Sequence, residues 1–460
     1  MSASGAVIVG AGPNGLVAGI ELARRGIRVT VLEAAESVGG GLRSASLTEP
    51  GYVHDMCASV FPMGVGSPAL SALPLQEHGL RWVHPDVPLA HPLDGGRATV
   101  LHRSLGETAS GLGRDGAAYR RLVGGLAARW WDFARDALGP IGVPRSPLLL
   151  ARFAMHAVRS AASLARYAFR EEEARALFAG CAAHSFLPLE NGPSAAFGTV
   201  LLAAGHAVGW PFVGGGSQRL ADALTSLLRA HGGEVRTGVR VDALEDLPDA
   251  DAVLLDLAPA QLVAMAGNRL PERYRSALEA FEYGPAVFKL DWALDAPIPW
   301  AAEACRRAGT VHVGGTLDEI AAAERAVWEG RAAERPFVLL AQPSLFDPER
   351  APAGRHTAWA YCHVPPYYAG DATAAIEAQI ERFAPGFEAR VLARSVRGPA
   401  QIERDNPAYV GGHVVGGVPT FRQLLMRPTP SLRPYVTPLP NVYLCSQYTP
   451  PGGGAHGMCG

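Results

Sequence analysis

Lys289 is the only lysine among the 41 basic residues of this chain. A compact ammonium with rotatable donors can hold a water or assist oxygen in a way that a planar guanidinium cannot simply replace. The competing explanation is a surface lysine that escaped drift toward arginine. Six histidines, His54, His184, His206, His363, His413 and His456, could each move a proton, because imidazole titrates near neutrality. Most are expected to be structural or solvated. His456 stands apart because it lies inside the run Gly452-Gly453-Gly454-Ala455-His456-Gly457-Met458. A third chemistry is written in the turn Gly10-Ala11-Gly12-Pro13-Asn14-Gly15. There Gly10 permits a tight turn, Gly12 lets backbone approach a pyrophosphate, and Gly15 allows close packing of helix on strand. Glu33, about twenty residues onward, can accept hydrogen bonds from a ribose hydroxyl.

The elements around these residues are what make the turn informative. Residues 6–9 read as a strand, an apolar helix runs through Arg25, and 28–32 read as a second strand ending on Glu33. In Val38-Gly39-Gly40-Gly41-Leu42-Arg43-Ser44 the glycines let the chain pass close to a phosphate, and Arg43 can meet its charge. Helices are expected over 119–138 and 147–177. Gly214-Gly215-Gly216-Ser217 should open an amphipathic helix with Ser217 as N-cap. Strands are expected over 233–241 and 252–257 returning to the first sheet, over 286–292, 337–341 and 357–363 in a second sheet, and over 441–445 as a last buried strand. A second G-x-G-x-x-G at Gly111, Gly113 and Gly116 is rejected as a nucleotide turn. The polar, helix-like residues 107–110 precede it, so a helix C-cap followed by an Asp115 N-cap explains it better. The expected fold class is α/β, a Rossmann-type domain (1–66, 205–265 and 430–460) interleaved with a mixed-sheet and helical substrate domain (67–204 and 266–429).

A formal charge of −2 gives no reason to propose nucleic acid as a partner. The six cysteines are scattered without a C-x-x-C pair, so neither a metal site nor a disulfide framework is indicated, and a reducing cytoplasm is expected. Cys57 and Cys459 could approach a bound group, without covalent attachment. No apolar run is long enough to span a bilayer. From 137 to 170 there is no acidic residue, and Arg145, Arg152, Arg159 and Arg166 recur at heptad spacing beside Leu149, Phe153, Leu164 and Tyr167. Such a stripe suits peripheral contact with an anionic membrane, and it also suits a solvated helix face.

The glycine turn, the Gly-Gly-Gly-Leu-Arg-Ser segment, Gly214-Gly215-Gly216-Ser217-Gln218, and the ending from Tyr443-Leu444-Cys445-Ser446 through the last glycine run together resemble the phytoene desaturase-like FAD oxidoreductases. The nearest branch is that of the pyridine nucleotide-disulfide oxidoreductase domain 2 proteins, and the resemblance runs over nearly the whole chain. It implies a flavoprotein of the amine oxidase type with FAD as cofactor. The implied cofactor-binding residues are Gly10, Gly12, Pro13, Asn14, Gly15, Glu33 and Ala34, then Gly40, Gly41, Leu42 and Arg43. Ala58, Ser59 and Val60 would line the flavin ring, and Val239 would contact adenine through its backbone. Gly453, Gly454, His456, Gly457 and Met458 would lie along the isoalloxazine. The setting Gly284-Pro285-Ala286-Val287-Phe288-Lys289 is similar to the strand that places a lysine, through a water, beside flavin N5 in amine oxidases. Lys289 and His456 are therefore the candidate catalytic residues. In that family a helix follows the equivalent of Gly460 with its N-terminus toward the flavin pyrimidine, and a corresponding further segment is expected here.

The activity these features imply is removal of hydride from a C–H bond of a largely apolar organic substrate, leaving a C=C bond, with reoxidation by O2 or a quinone. Oxidation of an amine or alcohol carbon is the alternative, and an aromatic pair facing the flavin would support an amine. A redox-neutral isomerase would need the same cofactor site. A flavin-free lipid escort of the same fold is opposed by the intact turn, Glu33 and Arg43.

Overall fold

β-Branched residues at the start of the chain alternate with a glycine turn and an apolar helix, and each becomes the element its composition favours. The structure is a computed structural model describing residues 5–460. The strand Gly5–Val9 enters the helix Pro13–Ala23, with Pro13 at its first turn, and the chain returns as the strand Arg28–Leu32. Three further strands join these two in a five-stranded parallel sheet. Its order is Val442–Leu444, Ala252–Leu255, Gly5–Val9, Arg28–Leu32, Glu234–Arg236. The helix Gln218–Ala230 packs on this sheet through Leu220, Leu224, Leu227 and Leu228, which meet Ile8, Leu16, Ile20 and Val31 in one buried cluster. Each such side chain contributes about 1.5–3 kcal/mol by leaving water.

A seven-stranded mixed sheet makes the second layer, ordered Val391–Arg397, Ala286–Leu294, His356–Val364, Val338–Ala341, Ala308–Val313, Val87–Leu93, Arg97–Leu101. Its pairs are antiparallel except Ala308–Val313 with Val87–Leu93. A helical layer between 105 and 207 packs against it through a core that includes Trp130, Phe133, Phe178 and Trp210. The α/β class expected from the sequence, a parallel Rossmann-type sheet with a mixed sheet and helices, is the architecture found.

Several local expectations need correction. The helix expected over 119–138 is two, Gly116–Ala128 and Trp130–Ala137, because Arg129 leaves helical geometry at φ −120° and ψ 34°. The helix expected over 147–177 is three, Pro147–Ala157, Ala161–Ala168 and Glu172–Ala183. Ser160 restarts the second by accepting from Ser163 N–H. Asp115 does not cap its own helix. Its carboxylate accepts from the backbone N–H groups of Arg170 and Glu171, at the start of a different one. Gly116 is small for packing reasons, since a Cβ there would sit 2.1 Å from Ala109 O. Ser217 is helical and caps nothing, and its hydroxyl donates to Ala58 O. The strand expected over 233–241 shortens to Glu234–Arg236.

Candidate functional site

The carboxyl ends of parallel strands are where open α/β sheets bind ligands, and a large cavity begins there. It measures about 560 Å3. Gly10 turns at φ +101° and donates to Leu32 O at 2.8 Å, which locks the turn against the neighbouring strand. A Cβ on Gly15 would lie 2.2 Å from Gly10 O, so only glycine fits beneath the turn. A Cβ on Gly12 would lie 2.6 Å from Asp256 Oδ2, so that position too has no room for a side chain. Glu33 holds the turn from the second strand, accepting from Ala11 N–H at 2.8 Å and Ala35 N–H at 2.9 Å.

The structure brings most of the sequence-derived site residues to this one cavity. Gly10, Gly12, Pro13 and Asn14 line it, with Glu33 and Ala34 after the second strand. Gly40, Gly41, Leu42 and Arg43 form the adjacent wall, and Ala58, Ser59, Val60, Val239 and Gly454 complete it. Asn14 Oδ1 is buried without a hydrogen-bond partner, leaving an amide free for a ligand. The Arg43 guanidinium donates to Gly40 O at 3.1 Å and to Asp405 O, which fixes it in the wall. Val239 already donates its N–H to Glu33 O at 2.8 Å, so its carbonyl is what remains available. Ser59 spends its hydroxyl on Asp55 at 2.7 Å.

Five of the expected cofactor-binding residues do not line the cavity. Gly15 packs beneath the turn. Gly453 sits under a crossing strand of backbone, where a Cβ would lie 1.9 Å from Val415 O. Gly457 turns at φ +68°, and the Met458 sulfur accepts from Ala69 N–H at 3.3 Å. His456 is buried, its Nδ1 accepts from Met458 N–H at 3.1 Å, and burial lowers its pKa to about 4. It braces the glycine run and is not part of the cavity wall.

Lys289 faces a second cavity of about 30 Å3, enough for a water molecule, which shares Gly40, Arg43, Cys57, Trp359, Tyr361 and Tyr409 with the large one. It is buried, so the surface-lysine explanation falls. Strand register sets its neighbours, pairing Lys289 with Tyr361 on one side and Arg397 on the other. Lys289 Nζ is ion-paired with Asp291, whose other oxygen lies 3.7 Å from His54 Nδ1. Burial lowers the Lys289 pKa, and the Asp291 carboxylate works against that shift. Of the six histidines only His184 lines the large cavity, with its Nε2 3.0 Å from His312 Nε2. Burial lowers its pKa to about 3, so it stands neutral at physiological pH. Cys57 lines both cavities, whereas the Cys459 thiol is buried against Thr449 O and Gly452 O.

Sequence reading missed Asp256 and the aromatic residues of the far end. Asp256 follows the strand Ala252–Leu255 and accepts from Gly15 N–H at 3.0 Å, a carboxylate at a helix N-terminus beneath the glycine turn. Burial raises its pKa to about 7; the Gly15 N–H works against that shift and the Glu33 charge adds to it. At the far end Leu201, Trp210, Leu339, Trp359 and Tyr361 make the walls mostly apolar. Trp359 and Tyr361 meet edge to face at 5.3 Å, and Trp359 Nε1 is buried without a partner. Their position two residues apart on one strand was the available signal.

Comparison with known proteins agrees with the resemblance read from the motifs. The family model for NAD(P)-binding Rossmann-like domains matches residues 8–73. The chain is 25% identical to pyridine nucleotide-disulfide oxidoreductase domain-containing protein 2 of Rattus norvegicus, over 99% of this chain and 91% of that protein. A shorter match, 32% identical, links 24% of this chain to 19% of a limonene dehydrogenase component of Castellaniella defragrans. Among solved structures, an oxidoreductase from Methanosarcina mazei superposes with a TM-score of 0.67 at 18% identity, covering 99% of this chain and 97% of that one. Putrescine oxidase bound to putrescine superposes at 0.61 and 19% identity, covering 99% and 96%. The fold is that of these oxidoreductases and amine oxidases, and a fatty acid isomerase from P. acnes shares it with a TM-score of 0.57 at 15% identity.

Proposed function

We propose that the protein is an FAD-dependent oxidoreductase that removes hydride from a C–H bond of a largely apolar organic molecule, with O2 or a quinone as electron acceptor. One observation carries this reading: a single cavity runs from a glycine turn shaped for a diphosphate to an apolar end walled by Leu201, Trp210, Leu339, Trp359 and Tyr361. The residues present fit the cofactor, since glycines keep backbone at the cavity wall at Gly10, Gly12, Gly40 and Gly41 and a buried amide oxygen without a partner waits at Asn14. Glu33, Ala34 and Val239 would hold the ribose and adenine. Arg43, with Gly40, Gly41 and Leu42, would pass along the diphosphate. Ala58, Ser59, Val60 and Gly454 would border the ring. When bound, the flavin would supply the hydride acceptor.

The chain's own residues would handle water and protons. Lys289 would hold a water in the small cavity, its charge balanced by Asp291. His184, neutral by burial and lining the wall with its Nε2 facing His312, would be a polar positioning group there and a poor proton acceptor. The division into 1–66, 205–265 and 430–460 against 67–204 and 266–429 belongs to the same proposal. It is supported by the parallel sheet drawing its strands from 5–32, 234–255 and 442–444. A reducing, cytoplasmic setting is supported by six unpaired thiols.

One observation favours a second reading. Trp359 and Tyr361, in edge-to-face contact, put aromatic surface on the cavity wall against which a cationic amine would lie. An absorbance spectrum of the purified protein, then anaerobic addition of apolar alkenes, alcohols and amines, tests both. Flavin bands near ~450 nm that bleach with alkenes support dehydrogenation, and bleaching by amines alone selects the second reading. A colourless protein that cannot be reconstituted with FAD overturns both.

A further inference from the structure

Two segments that the redox reading leaves unused, 137–170 and 406–433, meet on one surface. On the helix Pro147–Ala157 a rotation of about 100° per residue puts Leu148, Arg152 and Met155 within about 60° of arc. Leu149, Phe153 and Ala157 fall on the other side and pack inward, so the apolar residues expected beside the arginine stripe largely face the core. The outer face leaves Leu148 79% and Met155 63% exposed, and Val158 after it is exposed too. Gly192 lets a second helix, Phe421–Leu425, come alongside. A Cβ on Gly192 would lie 2.6 Å from Val158 O and 3.2 Å from Phe421 Cζ. That helix exposes Phe421 and Leu425, followed by exposed Met426. Together the two segments hold more than half of the exposed large hydrophobic side chains of the described residues. Contiguous exposure of this kind marks a docking surface.

Charge selects the occupant. Neither 137–170 nor 406–433 contains an acidic residue. Arg166 is spent on Asp318, and Arg159 lies over the Tyr167 ring at 4.8 Å. Arg145, Arg152 and Arg422 are exposed, and no ion pair engages them among the described residues. A second copy docking face to face would set these arginines against one another. We propose that this surface rests on an anionic lipid bilayer, with Leu148, Met155, Leu425 and Met426 entering the headgroup boundary and the arginines meeting lipid phosphates. No helix among the described residues is long and apolar enough to cross a membrane, so the contact is peripheral. This inference rests on the surface alone and stands or falls apart from the redox reading.

The test is co-sedimentation of the full chain with vesicles of phosphatidylglycerol mixed with phosphatidylcholine, beside vesicles of phosphatidylcholine alone and size-exclusion chromatography. The mixed vesicles should carry the protein down, and raised salt should release it. Arg152→Gln, which touches no core residue, should weaken the partition about fivefold. Leu148→Asp with Met155→Asp, and Leu425→Asp separately, should abolish it while the melting temperature holds. Failure to sediment with mixed vesicles, or sedimentation that none of these substitutions changes, overturns the proposal. A dimer that Leu425→Asp dissociates also overturns it and assigns the patch to a second copy.

Discussion

The two ends of the large cavity are built on opposite principles. At the turn end the working groups are backbone: glycines that leave room, N–H groups at a helix start, and a carboxylate, Asp256, with no cation against it. The far end is made of side chains, and in the small cavity that adjoins it the charges are matched, Lys289 with Asp291 and Arg397 with Asp405. A backbone site is specified locally and tolerates no added atoms. A side-chain site is specified by strand register and tolerates exchange when charge and volume stay balanced.

The contrast can be broken most sharply at Gly12. Gly12→Val should strip the cofactor, lowering flavin content at least about tenfold while circular dichroism stays native, because backbone must approach a diphosphate closely there. Full flavin occupancy in that variant would defeat the cofactor assignment. At the other end Asp291→Asn should cost about 3–5 kcal/mol in denaturant unfolding, since Lys289 would be left buried and unpaired. Lys289→Met combined with Asp291→Leu should recover most of that loss. A benign single substitution would mean that charge balance is not what organises this end.

Asp256 distinguishes the ends by pH. The groups facing it are Glu33, Cys445, Tyr448 and Cys459, none of them a cation. Its folded pKa, about 7, lies above its ordinary value of 3.8. The stability it contributes is therefore complete below about pH 4 and is lost as pH rises through about 7, on the order of a few kcal/mol. FAD affinity of the folded apoprotein, followed by flavin fluorescence, should hold below about pH 7 and fall above it, as the carboxylate charges beside a diphosphate. Asp256→Asn should flatten both profiles, and an unchanged profile would remove Asp256 from the account. The smallest effect belongs to His456→Gln, about 1 kcal/mol for the hydrogen bond from Met458 N–H, with turnover unaltered. A large loss of turnover would return His456 to the reacting groups.

Legibility in the sequence followed the same division. Residues 6–9, 28–32 and the turn between them could be read because strand, glycines, helix and Glu33 follow in order within one short segment. Lys289 was legible by its rarity, but Trp359, Tyr361, Arg397 and Asp405 reach it only through pairing of strands far apart in the chain. Periodicity carried across Arg129 and across 158–160, which hid the breaks between helices that the backbone makes there. The burial of His456 away from the cavity wall was not legible, because membership in a glycine run says nothing about which way a ring turns. Asp256 was hidden inside the strand expected over 252–257, which the structure ends at Leu255.

The strand Val442–Leu444 extends the parallel sheet on Ala252–Leu255, and Ser446, Gln447, Tyr448, Gly454 and Ala455 close the cavity behind it. Translation delivers these residues more than four hundred positions after the glycine turn. A ribosome-bound chain can therefore form the first strand, the turn and its helix early, yet it has no closed cavity in which to retain a dinucleotide. A dinucleotide bound as proposed would therefore be enclosed only once residues 442–455 have joined the sheet and the cavity wall.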